Sequence, residues 1–420
     1  MSNDKKALKV TFISHSDLLG GAGVVTWRLM QALNAKGIDA RMIVYAKYSD
    51  SSRVAMSGSR FIRGWNFTME RLGILARNDF NRSDLFKVSV ADHGMPLWRH
   101  PWVAEADVIN LSWINQGLLS LDGIRRIAAL GKPIAWTMHD MWTMTGICHH
   151  AYECGRFRDS CGCCQFLKSD NPSDLSNKVW WQKKKLYDEV SIHFVAVSNW
   201  AAERARSSSL LGDMPVTVIP NAFPIESFMT EPLDDFPRFD PIPDRRRLIF
   251  GAARLDDPIK GLDTLIDALN LLFDNNPEIG INTGVILFGD IRDKSILDRL
   301  RFAVLNMGRV DDSRLLRQLY ASSVAVLSTS RYETLPGTLI EGQASGCLPV
   351  TFGNGGQADI VTHLKDGYIA RSGDVEDFAN GIIWALGQKV DRRALHDSVG
   401  RRFGADSVAD RYISFYESLL

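Results

Sequence analysis

Twice along this chain, short apolar runs alternate with stretches whose apolar residues recur at helical spacing, and a proline-rich break separates the two series. In the first series, residues 8–13, 40–45, 108–111, 133–137, 193–197 and 216–219 read as buried strands, with helices over 24–35 and 118–130. Residues 220–243 then hold six prolines and several acids, the composition of an interdomain linker. The pattern restarts with strands at 248–252, 284–288, 325–327 and 348–351 and helices at 262–273, 313–320, 338–345 and 375–386. Alternating strands and helices imply parallel sheets covered on both faces. The expected fold is therefore α/β, with two Rossmann-like, doubly wound domains facing each other across a cleft. They cover residues 1–222 and 223–406, and a terminal helix, 407–420, crosses back to the first. Residues 50–81 show no clear period and read as loop-rich.

A length of 420 residues suits two cores rather than one. Lysine plus arginine equals aspartate plus glutamate, 49 each, so net charge gives no reason to expect a nucleic acid partner, and any anion site must be local. The start runs straight into a strand without a signal-like apolar region, and no run of eighteen apolar residues occurs. The expectation is a cytoplasmic protein, with peripheral contact at the inner face of the cell membrane left open.

Three constellations carry chemistry. Gly20-Gly21-Ala22-Gly23 follows the first strand and opens a helix, where backbone can approach a ligand and free N–H groups meet an anion. Thr26 stands where the third glycine of a dinucleotide fingerprint belongs, which argues against an oxidoreductase. In the second half, Arg254 closes a strand and Lys260 precedes a helix, so two cations can neutralise a departing diphosphate. Most informative is Glu333-Thr-Leu-Pro-Gly-Thr-Leu-Ile-Glu341, after an apolar strand. There Glu333 can bond sugar hydroxyls, Pro336 and Gly337 make the turn, Thr338 and Leu339 offer helix-start N–H groups, and Glu341, in the helix's first turn, can grip a ribose. No two aspartates stand two apart, so the Asp-x-Asp of metal-dependent sugar transfer is missing. No cofactor is expected for catalysis.

The set Gly20-Gly21, Arg254, Lys260, Glu333 and Glu341, with Asn221 in Ile-Pro-Asn, resembles the family 4 retaining glycosyltransferases of GT-B fold. Through Trp136-Thr-Met-His-Asp-Met-Trp-Thr-Met-Thr-Gly-Ile-Cys-His, it is most similar to bacterial exopolysaccharide transferases of the colanic-acid type. The resemblance implies a nucleotide-sugar donor, UDP- or GDP-linked, and a saccharide or polyprenyl-linked acceptor. Arg254 and Lys260 would hold the diphosphate, Glu333 the sugar, Glu341 the ribose. His139 would line the sugar site, and Gly289-Asp290 and Arg309-Val310 would flank the nucleobase. Trp113 and Asn115, past the strand 108–111, are the acceptor contacts expected. An epimerase of the same fold or a non-catalytic sugar-nucleotide-binding subunit are the alternatives.

Five of six cysteines crowd into residues 148–164. Cys161 and Cys164 have the gap of a zinc knuckle, and Cys148 and Cys154 are set more loosely. A structural zinc or free buried thiols are the two readings. Residues 178–187 mix lysines with aromatics and could touch an anionic membrane, or form a solvated helix face.

Overall fold

The computed structural model describes residues 7–228, 230–231 and 246–420; residues 232–243 of the expected linker lie outside these. The chain divides into two units, Met1–Ala222 with Val408–Leu420, and Phe223–Ser407.

The first unit opens with β1 (Lys9–Ser16), α1 (Gly20–Ala35), β2 (Asp39–Ala46), β3 (Val54–Met56) and α2 (Arg60–Leu75). It continues through α3 (Pro101–Glu105), β4 (Val108–Leu111), α4 (Leu121–Ala128), β5 (Ile134–Met138) and α5 (Leu175–Glu189). β6 (Ile192–Ala196), α6 (Asn199–Arg206) and β7 (Val216–Val218) complete a seven-stranded parallel sheet ordered β3-β2-β1-β4-β5-β6-β7. Every residue of β4 and β5 is buried, as a strand covered on both faces requires.

The second unit contains β8 (Arg246–Arg254), α7 (Leu262–Asn275), α8 (Pro277–Ile281), β9 (Thr283–Asp290), β10 (Ala303–Asn306) and α9 (Ser313–Ala321). β11 (Ala325–Ser328), α10 (Gly337–Ala344), β12 (Leu348–Phe352), β13 (Tyr368–Ala370), α11 (Val375–Gly387) and α12 (Arg392–Phe403) follow. Its six strands are parallel in the order β10-β9-β8-β11-β12-β13. The last helix, α13 (Ala405–Glu417), passes into the first unit at Val408. There Tyr416 Oη donates to Asn110 Oδ1 at 2.9 Å, Tyr412 Oη lies 3.2 Å from Thr137 Oγ1, and Asp410 pairs with Lys36 at 2.8 Å. Asn110, an amide in the middle of an apolar strand, is thus the anchor for this helix.

Two expectations are corrected. α1 begins at Gly20 itself, so the glycines form the helix's first turn rather than a separate turn before it. Residues 50–81 hold β3 and the sixteen-residue helix α2, because the buried face of α2 is polar: Arg63, Asn66, Glu70 and Arg71, joined by Ile74. Glu70 accepts from the N–H groups of Val90 and Ala91 at 2.8 and 3.1 Å, and Arg71 donates to the carbonyls of Leu85 and Val88 at 2.6 and 3.0 Å. Buried charges are tolerated when they are paired and hydrogen-bonded, as Glu70 and Arg71 are here. No helix among the described residues is long and apolar enough to cross a membrane.

Candidate functional site

In each sheet the strand order reverses once, between β1 and β4 and between β8 and β11. Connections leave such a point in opposite directions, opening a crevice at the carboxyl ends of the strands where ligands gather. The sequence-predicted residues fall at both.

In the first unit the reversal opens a cavity of about 460 Å³. Ser14, His15 and Ser16 of β1 line it with Gly20–Gly23 of α1, Trp113, His139 and Asp140. Gly23 is required here, since a Cβ would come 2.7 Å from the Ser16 carbonyl oxygen. Leu19 caps α1 without a side-chain bond, leaving the helix-start N–H groups at the cavity wall. His139 Nε2 lies 3.4 Å from Ser112 Oγ, and burial pushes its imidazole down to about 4 against the pull of Asp140. His15 stacks on Tyr45 at 4.7 Å and meets Trp113 edge-on at 5.3 Å. Burial lowers it likewise to about 4, against a backbone hydrogen bond with Asn115. Both rings are therefore neutral at physiological pH, able to share a hydrogen bond with a hydroxyl.

Asp140 has a different task. It accepts from Trp113 Nε1 and the Trp142 N–H, both at 2.8 Å, and sits 2.7 Å from His149 Nδ1. Burial would raise its carboxyl, but His149 and these bonds hold it at about 2. A carboxylate so bonded orients its neighbours rather than taking a proton. Asn115 is buried and does not line the cavity, so of the two expected acceptor contacts only Trp113 reaches it. His15, Tyr48, Gln116 and His150 also line it and were not foreseen. For His15 a signal existed: the apolar run of β1 breaks into Ser-His-Ser at its carboxyl end.

In the second unit Arg254 is the last residue of β8, where the register with β9 slips between Gly251 and Arg254. Its guanidinium pairs with Asp256 at 3.2 Å and Asp257 at 3.6 Å. Lys260 Nζ lies 2.5 Å from Glu333 Oε1. Burial alone would lower the ammonium, but Glu333 and Asp257 outweigh it and raise it above its ordinary value. Short contacts stitch these two loops together: Thr329 Oγ1 donates to the Gly261 carbonyl at 2.8 Å, and the Arg331 N–H to that of Ile259 at 2.8 Å. Gly261 has a φ of +68°, and a Cβ there would come 2.4 Å from the Thr329 carbonyl oxygen. Pro336 caps α10 without a side-chain bond, so Gly337, Thr338 and Leu339 form an open helix start. Glu341 is the fifth residue of that helix, one residue deeper than expected. Gly289 donates to the Gly308 carbonyl at 2.7 Å, which sets Asp290 and Arg309-Val310 on adjacent strand ends; Arg309 is exposed and pairs with Asp311 at 2.8 Å.

Cys148, Cys154, Cys161 and Cys164 line one void of about 20 Å³, room for a single water-sized sphere. Burial raises Cys164 to about 11 and Cys148 further, and the Gly146 N–H points at Cys161 Sγ from 3.2 Å. Beside them Lys183, 0% exposed, donates to the carbonyls of Trp142 and Thr145 at 2.5 and 3.0 Å and stands 3.3 Å over the Trp142 ring. Among the described residues no three His, Cys, Asp or Glu side chains are set to hold a metal ion. Residues 178–187 lie within α5, whose Val179, Trp180, Lys183, Leu186 and Tyr187 face inward. That leaves Trp181 as the large exposed apolar group of the run.

Residues 19–227 match the family model of Glycosyltransferase Family 4, and residues 246–388 that of Glycosyl transferases group 1. The D-inositol 3-phosphate glycosyltransferase of Jonesia denitrificans is 25% identical over 336 residues, 73% of this chain and 76% of that protein. Anabaena HepE in complex with UDP and glucose has the same fold at a TM-score of 0.61 and 16% identity, covering 98% of this chain and 100% of its own. Sucrose-phosphate synthase from Thermosynechococcus elongatus gives 0.63 and 15% identity, with 98% and 99% covered.

Proposed function

Since this chain belongs to the family 4 glycosyltransferases and has the GT-B fold, we propose that it moves a sugar from a nucleotide-diphosphate donor to a saccharide or lipid-linked saccharide, with retention of anomeric configuration. The observation that carries the donor half is the Lys260–Glu333 pair at 2.5 Å beside Arg254, at the point where the second sheet reverses. A diphosphate there would meet two cations and the open start of α10. Glu333 would take the hydroxyls of the attached sugar, Glu341 the ribose, and the ends of β9 and β10 the base. HepE was crystallised with UDP and glucose, which supports a nucleotide-sugar donor. The resemblance around residues 136–149 favours a role in bacterial surface polysaccharide synthesis.

In this reaction the bond from the anomeric carbon to the diphosphate oxygen breaks, and the acceptor hydroxyl oxygen bonds to the same face of that carbon. Its proton passes to the departing diphosphate. Arg254 and Lys260 stabilise the charge that builds on the leaving group, and the protein's part is positioning and electrostatics. The first unit's cavity supplies the acceptor side, where neutral His15 and His139 can hold sugar hydroxyls and Trp113, fixed by Asp140, gives a flat apolar wall.

The test is turnover with a panel of UDP- and GDP-sugars. Arg254→Ala and Lys260→Ala are each expected to cost ~10²–10³ in kcat, the magnitude for one charge-stabilising group. Near-normal turnover in both variants would remove the assignment.

A further inference from the structure

The amphipathic helix α2 is inside out. A helix on a water-exposed surface buries its apolar stripe and shows its polar one; here Arg63, Asn66, Glu70 and Arg71 are buried, while Phe61 is 80% exposed, Trp65 57%, and Ile62 and Leu72 are exposed beside them. The display continues past the helix. Phe80 is 73% exposed and held at a φ of +57°, a backbone conformation bulky residues avoid, and Phe86 is exposed where it stacks on Phe67. Solvated proteins rarely present so many large apolar groups together.

The surrounding charge identifies what covers this face. The whole chain is neutral, yet residues 59–87 carry six cations against three acids. Arg71 and Glu70 pair in the interior at 3.2 Å. Arg60 at the helix start and Arg77 and Arg82 beyond its end are exposed, and Asp79 is the exposed acid among them. Aromatic and aliphatic side chains flanked by arginines match the interface of an anionic bilayer, where rings sit at headgroup level and guanidinium groups meet lipid phosphates.

We infer that α2 with the loop that follows it is a membrane-docking surface for anionic lipid, and that it places the first unit's cavity at the bilayer. The coupling is direct. Arg63, on the buried face of α2, donates to the Tyr45 carbonyl and stands 5.3 Å over the Tyr45 ring, and that ring stacks at 4.7 Å on His15 in the cavity wall. A saccharide carried on a lipid would thus reach the cavity from the surface that holds its anchor; this acceptor half rests on the transfer reading above, whereas the docking does not.

The experiment is co-sedimentation of the full chain with vesicles of phosphatidylcholine, alone or with roughly 30 mol% phosphatidylglycerol. Wild type is expected to bind the anionic vesicles, more weakly as salt rises, and the pure phosphatidylcholine vesicles less. Phe61→Ser with Trp65→Ser is expected to weaken binding at least ~10-fold, as the loss of two interfacial aromatics should, and Trp181→Ser on α5 to leave it unchanged. Circular dichroism and thermal melting confirm that the variants fold, and nucleotide binding confirms an intact donor side. The inference is overturned if wild type binds neither vesicle, or if the double variant binds like wild type. It is equally overturned if sedimentation velocity shows the double variant splitting a dimer, since a second copy would then cover the face. Vesicle binding is read without donor or turnover, so it fails separately from sugar transfer.

Discussion

Glu333 holds Lys260 at 2.5 Å, yet both side chains are assigned to the same ligand, the lysine to its diphosphate and the acid to its sugar. These roles separate under Glu333→Gln. The gross attraction of unit charges at this distance is about 7 kcal/mol at an effective dielectric of 20. Both groups keep some contact with solvent, 28% and 19% of their side-chain surface, and desolvation offsets most of that attraction, leaving about 1–2 kcal/mol. A diphosphate must compete with Glu333 for the ammonium, so removing the acid's charge frees part of that energy. Binding of the nucleoside diphosphate alone should tighten ~3–10-fold, which is about 0.7–1.4 kcal/mol. Turnover should move the other way and fall at least ~10-fold, because the amide no longer accepts from the sugar hydroxyls as a carboxylate does. Isothermal titration with UDP and GDP, alongside donor consumption, reads both changes. Lys260→Ala gives the reference direction, weaker nucleotide binding and slower turnover together. If Glu333→Gln weakens nucleotide binding as Lys260→Ala does, the pair acts as one structural unit and the division of roles is wrong.

Acid should destabilise the fold in a defined window. His15 and His139 sit at about 4 in the folded chain against an ordinary 6.5, so between these values the unfolded chain binds more protons and stability falls as pH falls. The loss is up to about 2 kcal/mol each between neutrality and about pH 5, less what the rings' residual exposure returns; above 6.5 the curve is flat. Asp140, at about 2 against 3.8, adds a further loss only below 3.8. In urea unfolding, His139→Gln should lower the slope in the upper window, and an unchanged slope would show that its imidazole is solvated. Gly289→Ala should cost at least about 2 kcal/mol, because φ there is +129° and the new Cβ would stand 1.8 Å from the Ala252 carbonyl oxygen. Gly387→Ala, with nothing within 4 Å, should cost nothing; equal unfolding midpoints in the two variants would contradict the packing at the end of β9.

The positions of Arg254 and Glu333 were legible in the sequence because strands buried on both faces announce themselves as continuous apolar runs. Arg254 closes β8, and Glu333 follows β11 by a few residues. What spacing could not supply was the pairing of Lys260 with Glu333, which depends on Thr329 and Arg331 drawing one loop onto the other. The first unit's cavity was legible in part: Gly20–Gly23, Trp113 and His139 line it as singled out from the sequence, whereas Tyr48, Gln116 and His150 come from three separate loops that no pattern marks. Four of the crowded cysteines, Cys148, Cys154, Cys161 and Cys164, line one void, but a pattern of spacings does not fix sulfur-to-sulfur geometry.

The miss at α2 has a different cause. Phe61, Trp65 and Leu72 recur at helical spacing, and Arg63, Asn66, Glu70 and Arg71 recur on the opposite side, so the period was present in residues 60–75. Residues 50–81 nonetheless read as loop-rich, and the rule that polar residues face outward does not describe this helix. Periodicity establishes that a helix has two faces, and only the surroundings decide which one is buried. Here the protein side is polar and hydrogen-bonded, through Arg71 to the carbonyls of Leu85 and Val88 and through Glu70 to two N–H groups. The apolar stripe is left for something other than water. A helix that contradicts the solvent rule while its inner face is held by this many hydrogen bonds is not a poorly formed helix; it is one whose second environment is missing from a chain considered alone.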